Sequence, residues 1–155
     1  MDPWLTRLSI LLAMAAWCAA VVLAEHPRRA RAVWTGALAA YLVHIVSAYA
    51  SVYGWSHRVA WEMTASDTER VVGWRSGIGL AVNYAFAAAL AVDLVRQWRG
   101  RPASPWIVAF VVFMILNGAV VFAEGSTRRI GIFLLCVMAA GRVAHRYRRS
   151  PLLPD

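Results

Sequence analysis

Five apolar stretches, each closed by charge or by glycine and proline, dominate this chain and leave few folds open to it. They run over residues 4–24, 33–53, 77–95, 105–123 and 130–144. Hydrophobic residues fill 61% of the 155 positions and charged residues only 15%, where about 25% charged is usual for a soluble domain. A chain of this size has too little interior to hide so much apolar surface from water. The runs are continuous Leu, Ala, Val and Phe, without the alternation that marks barrel strands. In hydrocarbon a helix also satisfies its own backbone amides. The sequence therefore predicts an all-α integral membrane protein, a five-helix transmembrane bundle. The fifth run is short against the ~17–25 residues of a spanning helix. It needs Arg128, Arg129 and Arg142 to snorkel to the headgroups, and a re-entrant segment is its rival reading.

Orientation comes from the arginines. The net charge is +8 and every basic residue is Arg. One set of clusters holds Arg28, Arg29 and Arg31, then Arg96, Arg99 and Arg101, then Arg142, Arg146, Arg148 and Arg149. It alternates along the chain with a smaller set: Arg7, then Arg58, Arg70 and Arg75, then Arg128 and Arg129. The positive-inside rule puts the larger set in the cytoplasm. This predicts a multi-pass protein of the inner (plasma) membrane, with the N-terminus outside and a basic cytoplasmic tail over 146–155 lying along the anionic leaflet. Clusters between apolar runs are membrane-flanking loops, so nucleic acid is not an expected partner. Val22-Leu23-Ala24 resembles a signal-peptidase site. However, Arg7 is balanced by Asp2, and cleavage there would strand the Arg28–Arg31 cluster outside, so the first run is read as a span.

The connection between the second and third runs has structure of its own. Ala60, Trp61, Thr64, Ala65, Thr68, Val71 and Val72 recur at helical spacing, with charged residues mostly opposite. That pattern predicts an extracytoplasmic amphipathic helix over 57–72 lying in the interface, with Ser56 as N-cap and Gly73 as stop. Trp55, Trp61 and Trp74 belong at headgroup depth. Small residues at helical spacing, Ala13, Ala16 and Ala20 in the first run and Ala81, Ala85, Ala88 and Ala89 in the third, predict close helix packing.

Counting ~1.5 Å per residue from the outer ends puts His44 roughly 13 Å deep, Asn83 roughly 9 Å and Asn117 about 10 Å. Cys136 falls near the same depth. Tyr41, His44, Ser47 and Ser51 share one helix face, which should turn inward, away from lipid. The expected site is a polar intramembrane layer of His44, Asn83, Asn117, Tyr41 and Ser47, in which His44 bonds Asn83 or Asn117. An intramembrane histidine is also a functional candidate. His44 with His57, or with Met63 or Met114, gives a second reading as a haem or copper site. No His-x-x-x-His, Cys-x-x-Cys or haem-attachment motif accompanies it. Cys18 and Cys136 lie at different depths, so no disulfide is expected. Glu25 is expected to pair with Arg28 or Arg29, Asp93 with Arg96 and Glu124 with Arg128, each at a span end near water.

No motif marks a nucleophile with its base and orienter, although Ser56-His57 is followed by acidic residues. The leading functional expectation is a non-catalytic accessory or scaffold component, with the lipid bilayer and a membrane-protein partner or second copy as its contacts. The alternatives are a redox-coupled haem or metal protein centred on His44, and a small transporter. The transporter reading lacks repeat symmetry.

Overall fold

The computed structural model describes residues 3–149, and the side chains of residues 4–143. Most of the basic tail read over 146–155 therefore lies outside the described residues. Helix α1 spans Pro3–Val22 and continues as a short 3-10 turn to Glu25; α2 spans Pro27–Ser51, α3 His57–Val72, α4 Ile78–Trp98, α5 Pro105–Ile115 and α6 Gly125–Arg149. Between α5 and α6, residues Leu116–Val121 form a π-helical turn. The described residues contain no strand. Three helical stretches, Trp4–Glu25, Pro27–Ser51 and Ile78–Trp98, are long and apolar enough to cross a membrane, and Pro105–Val121 is apolar but shorter.

Local chemistry sets several boundaries. Pro27 and Pro105 open α2 and α5 at the first helical position, where a missing N–H costs nothing and the fixed φ suits the helix. Helix α2 therefore starts before the apolar run does. Arg28, Arg29 and Arg31 ride on its first two turns, where the sequence pattern suggested a loop. Ser56 caps α3 by accepting a hydrogen bond from the Val59 amide at 3.3 Å, and Gly73 ends it with φ 78°, a conformation glycine adopts without penalty.

Helix α1 packs chiefly on α2 and also meets α5 and α6, while α4 joins α2 to α3. The α1–α2 contact is close because Ala13, Ala20 and Ala37 are buried there. Aromatic rings fill the centre. Trp17 meets Phe86 edge-on at 5.2 Å and Tyr41 at 5.4 Å, and Phe86 continues to Phe110 at 4.9 Å. The alanine reading fails on α4: Ala81, Ala85 and Ala88 face outward and Ala89 is half-buried. That helix instead buries Leu80, Phe86 and Leu90, large side chains that reach the core without needing backbones to touch. Cys136 is exposed, and both cysteines are free.

Glycine does permit close approach at two other places. A Cβ on Gly131 would sit 2.6 Å from the Ala119 Cβ, so α6 and the π turn touch there. A Cβ on Gly77 would run into the Trp61 ring, which locks α3 onto the start of α4. Ion pairs reinforce the same region. Arg75 bonds Glu62 at 2.9 Å and Glu69 at 3.0 Å, folding the α3–α4 connection back onto α3. These two carboxylates raise the Arg75 pKa above its ordinary value. Arg70 reaches Asp67 at 3.1 Å and Glu124 at 3.3 Å. Glu124 thus pairs across the fold and not with Arg128, whose Nε donates to the Ala123 carbonyl at 3.0 Å.

Gly131→Val should lower the stability of the folded chain by about 1–3 kcal/mol through overpacking. Gly36→Ala, where the added methyl meets open space, should be neutral or raise stability by up to about 1 kcal/mol. Thermal unfolding of both variants in one detergent measures the contrast.

Candidate functional site

A cavity of about 260 Å³ lies between α1, α2, α4 and the π turn, with Trp17, Tyr41, His44, Asn83, Met114 and Gly118 among its walls. Tyr41, His44 and Asn83 also border a smaller cavity of about 60 Å³ that leads toward Tyr49, Tyr53 and Tyr84. These three polar residues form the partition between the two spaces.

Each wall residue is held by identifiable bonds. The Tyr41 hydroxyl donates to Asn83 Oδ1 at 3.2 Å, and lies 3.4 Å from the Asn83 backbone carbonyl. Its ring packs edge-on to Phe86 at 5.3 Å and near-parallel to His44 at 6.2 Å. His44 Nδ1 lies 2.8 Å from the Thr6 carbonyl on α1. A carbonyl only accepts, so Nδ1 carries the proton, and in the neutral ring Nε2 keeps its lone pair. Thr6 is held a second time, its hydroxyl 3.2 Å from that of Ser51. The start of α1 is therefore clasped to α2 at two points.

Ser47, fully buried, donates to the His44 carbonyl of its own helix at 3.0 Å, and Ser51 donates to the Ser47 carbonyl at 2.6 Å. Their acceptors lie within α2 and not across the cavity. Such back-bonding is how hydroxyls are satisfied inside helices.

Asn117 is not brought to this group. It sits in the π turn, half-buried, with no side-chain hydrogen bond among the described residues, while its carbonyl accepts from the Phe122 amide at 3.0 Å. The spacing from i to i+5 is what defines the wide turn. The bond expected from His44 to Asn83 or Asn117 is replaced: His44 turns to a backbone carbonyl, and Asn83 is engaged by Tyr41.

His57 belongs to a different cluster. Its Nδ1 is 3.2 Å from both the Tyr49 and Tyr84 hydroxyls, which hydrogen-bond each other, and its ring stacks on Tyr84 at 5.9 Å. His44 lines the larger cavity and His57 does not. Among the described residues no group of three His, Cys, Asp or Glu is placed to hold a metal ion. Met114 shares the cavity with His44, whereas Met63 lies on the exposed side of α3.

Two features were not readable from the residues alone. Trp17 Nε1 is buried with no hydrogen-bond partner, and only the packing reveals that. Asp93 is 3% exposed, not at a watery span end. It does pair with Arg96 at 3.0 Å, and it also accepts from Gln97 Nε2 at 3.0 Å and from the Ser104 amide at 3.2 Å. The carboxylate so ties the end of α4 to the start of α5. Gln97 four residues on and the proline-opened helix beyond it were the available signals.

No family model, curated protein or solved structure matches this chain. The site must be interpreted from its own chemistry.

A double-mutant cycle on Tyr41→Phe and Asn83→Ala should return a coupling of about 0.6 kcal/mol, and no more than about 1.7 kcal/mol, the range for interhelical bonds in lipid. Unfolding of the four proteins in mixed micelles provides the measurement. Zero coupling would show that the contact ties nothing.

Proposed function

We propose that this chain is a five-span protein of the inner (plasma) membrane, N-terminus outside and C-terminus cytoplasmic, acting as a non-catalytic accessory or scaffold component of a membrane assembly. The observation that carries this reading is what the polar groups at membrane depth do. Tyr41 with Asn83 joins α2 to α4, His44 with Thr6 joins α2 to α1, and Ser47 is satisfied within its helix. These are ties that hold a bundle in one arrangement, and none pairs a nucleophile with a base.

The orientation has its own support. The pair Arg28 and Arg31, then Arg101, then Arg142 come from three distant segments of the sequence, yet they border one cavity. That convergence is expected if the chain crosses five times, and a re-entrant α6 would carry Arg142 away from the others. In this placement α3 lies over the outer ends, with Trp55, Trp61 and Trp74 exposed at headgroup level. The partner is a second membrane protein or a second copy of this chain.

A second reading, binding or passage of a small polar solute, is favoured by one specific feature. The cavity below Asn83 has Trp17 and His44 in its walls, and both the Trp17 Nε1 donor and the His44 Nε2 acceptor lack a partner among the described residues.

Purified protein should show no Soret absorption and no stoichiometric copper or iron. A band or metal that disappears in His44→Ala would overturn the scaffold reading in favour of the haem or metal one. Flux of small solutes in proteoliposomes, abolished by Asn83→Ala, would establish the second reading instead. Accessibility labelling should find the two chain ends on opposite sides of the bilayer, and both ends on one side would refute the orientation.

A further inference from the structure

A cavity of about 510 Å³ opens at the opposite end of the bundle from α3. Its size falls within the ~300–1,000 Å³ range of ligand sites. Four arginines border it: Arg28 and Arg31 from α2, Arg101 from the α4–α5 connection, and Arg142 from α6. Among the described residues no Asp or Glu lines it. Asp93, the acid beneath the α4–α5 turn, is already neutralised by Arg96.

Arg28, Arg101 and Arg142 make no ion pair among the described residues. Arg31 is fixed without one, its Nη1 donating to the Gln97 carbonyl at 2.9 Å and its guanidinium 4.8 Å from the Trp98 ring centre. Like charges so gathered repel each other, and a bound anion reverses that cost. The first turns of α2 and α5 also border the space, since Pro27 and Pro105 line it, and neither N-terminus has a side-chain cap. Both add positive partial charge and free amides. Behind the arginines the walls are apolar, including Val21, Trp34 and Val108.

The geometry points to a binding site for the phosphate headgroup of an anionic phospholipid, with the start of its acyl chains against the apolar wall. Guanidinium forks match phosphate oxygens in bidentate geometry. A free phosphate offers the same charge but leaves the apolar wall unfilled, which is why the lipid is the occupant assigned. The site rests on the bilayer placement proposed above, and the labelling experiment reports on that placement independently.

The test uses the full chain in neutral detergent, titrated with phosphatidylglycerol, phosphatidylcholine or inorganic phosphate, with binding read by native mass spectrometry and thermal shift. Phosphatidylglycerol should bind stoichiometrically and raise the unfolding temperature, whereas phosphatidylcholine should not. Arg101→Gln, in an exposed turn, should weaken phosphatidylglycerol about fivefold, consistent with about 1 kcal/mol per arginine near anionic lipid. Arg28→Gln, Arg101→Gln and Arg142→Gln combined should abolish binding while leaving the lipid-free unfolding temperature unchanged or higher, because repulsion is relieved. Arg128→Gln with Arg129→Gln should bind as the parent does. Equal response to both lipids, undiminished binding by Arg101→Gln, or a full response to inorganic phosphate alone would each overturn the assignment.

Discussion

Inside hydrocarbon no water is available to satisfy a polar group, and this constraint governs the centre of the molecule. The chain meets it with short-range economy. Ser9, Ser47 and Ser51 return their hydroxyl protons to carbonyls of their own helices. The Tyr41 phenol and the His44 imidazole reach another helix, as does the Thr6 hydroxyl that meets Ser51. Their bonds therefore coincide with the seams between α1, α2 and α4. Phe86 and Trp17 fill the space around them, so the ties and the aromatic core are one unit.

The two ends of the bundle are chemically different. At one end Arg70, Arg75, Glu62, Glu69 and Glu124 form a network of exposed pairs across α3 and the start of α6. Exposed pairs of this kind contribute little individually, and their effect here is to orient α3 once Trp61 has seated against Gly77. At the other end Arg96 pairs with Asp93, while Arg28, Arg31, Arg101 and Arg142 border a cavity with no carboxylate among its described lining residues. Arg70 and Arg75 are compensated at the first end, and the arginines around the cavity are not.

The helices were legible because their signals are local: apolar runs, the Ser56 cap, the Gly73 stop and the two opening prolines. Which face of each helix turns inward was less so. Alanine permits close contact but does not require it, and Ala81, Ala85 and Ala88 look outward because Leu80, Phe86 and Leu90 supply the packing on the other side. The polar layer shows the same limit. Counting residues gave comparable depths to His44, Asn83 and Asn117, but depth says nothing of azimuth. Tyr41 and Asn83 face each other, while Asn117 lies in a turn whose wider pitch rotates it off the expected face. The acceptor of His44 is a main-chain carbonyl, and no side-chain pattern records that. Glu124 shows the converse error, since a neighbour at helical spacing lost to a partner 54 positions away.

The wide turn at Leu116–Val121 has one more implication. Ile107, Val111, Ile115 and Ala119 are all buried at intervals of four, a step slightly longer than one α-helical turn. In a regular helix such a row would creep steadily around the cylinder, and its last member would leave the interior. Opening the final turn absorbs the accumulated phase, so Ala119 still meets Gly131. Winding the same residues at ordinary pitch, with none removed, would turn everything beyond them by one residue's rotation, about 100°. The irregular stretch thus works as a phase corrector that keeps the last two helices in step.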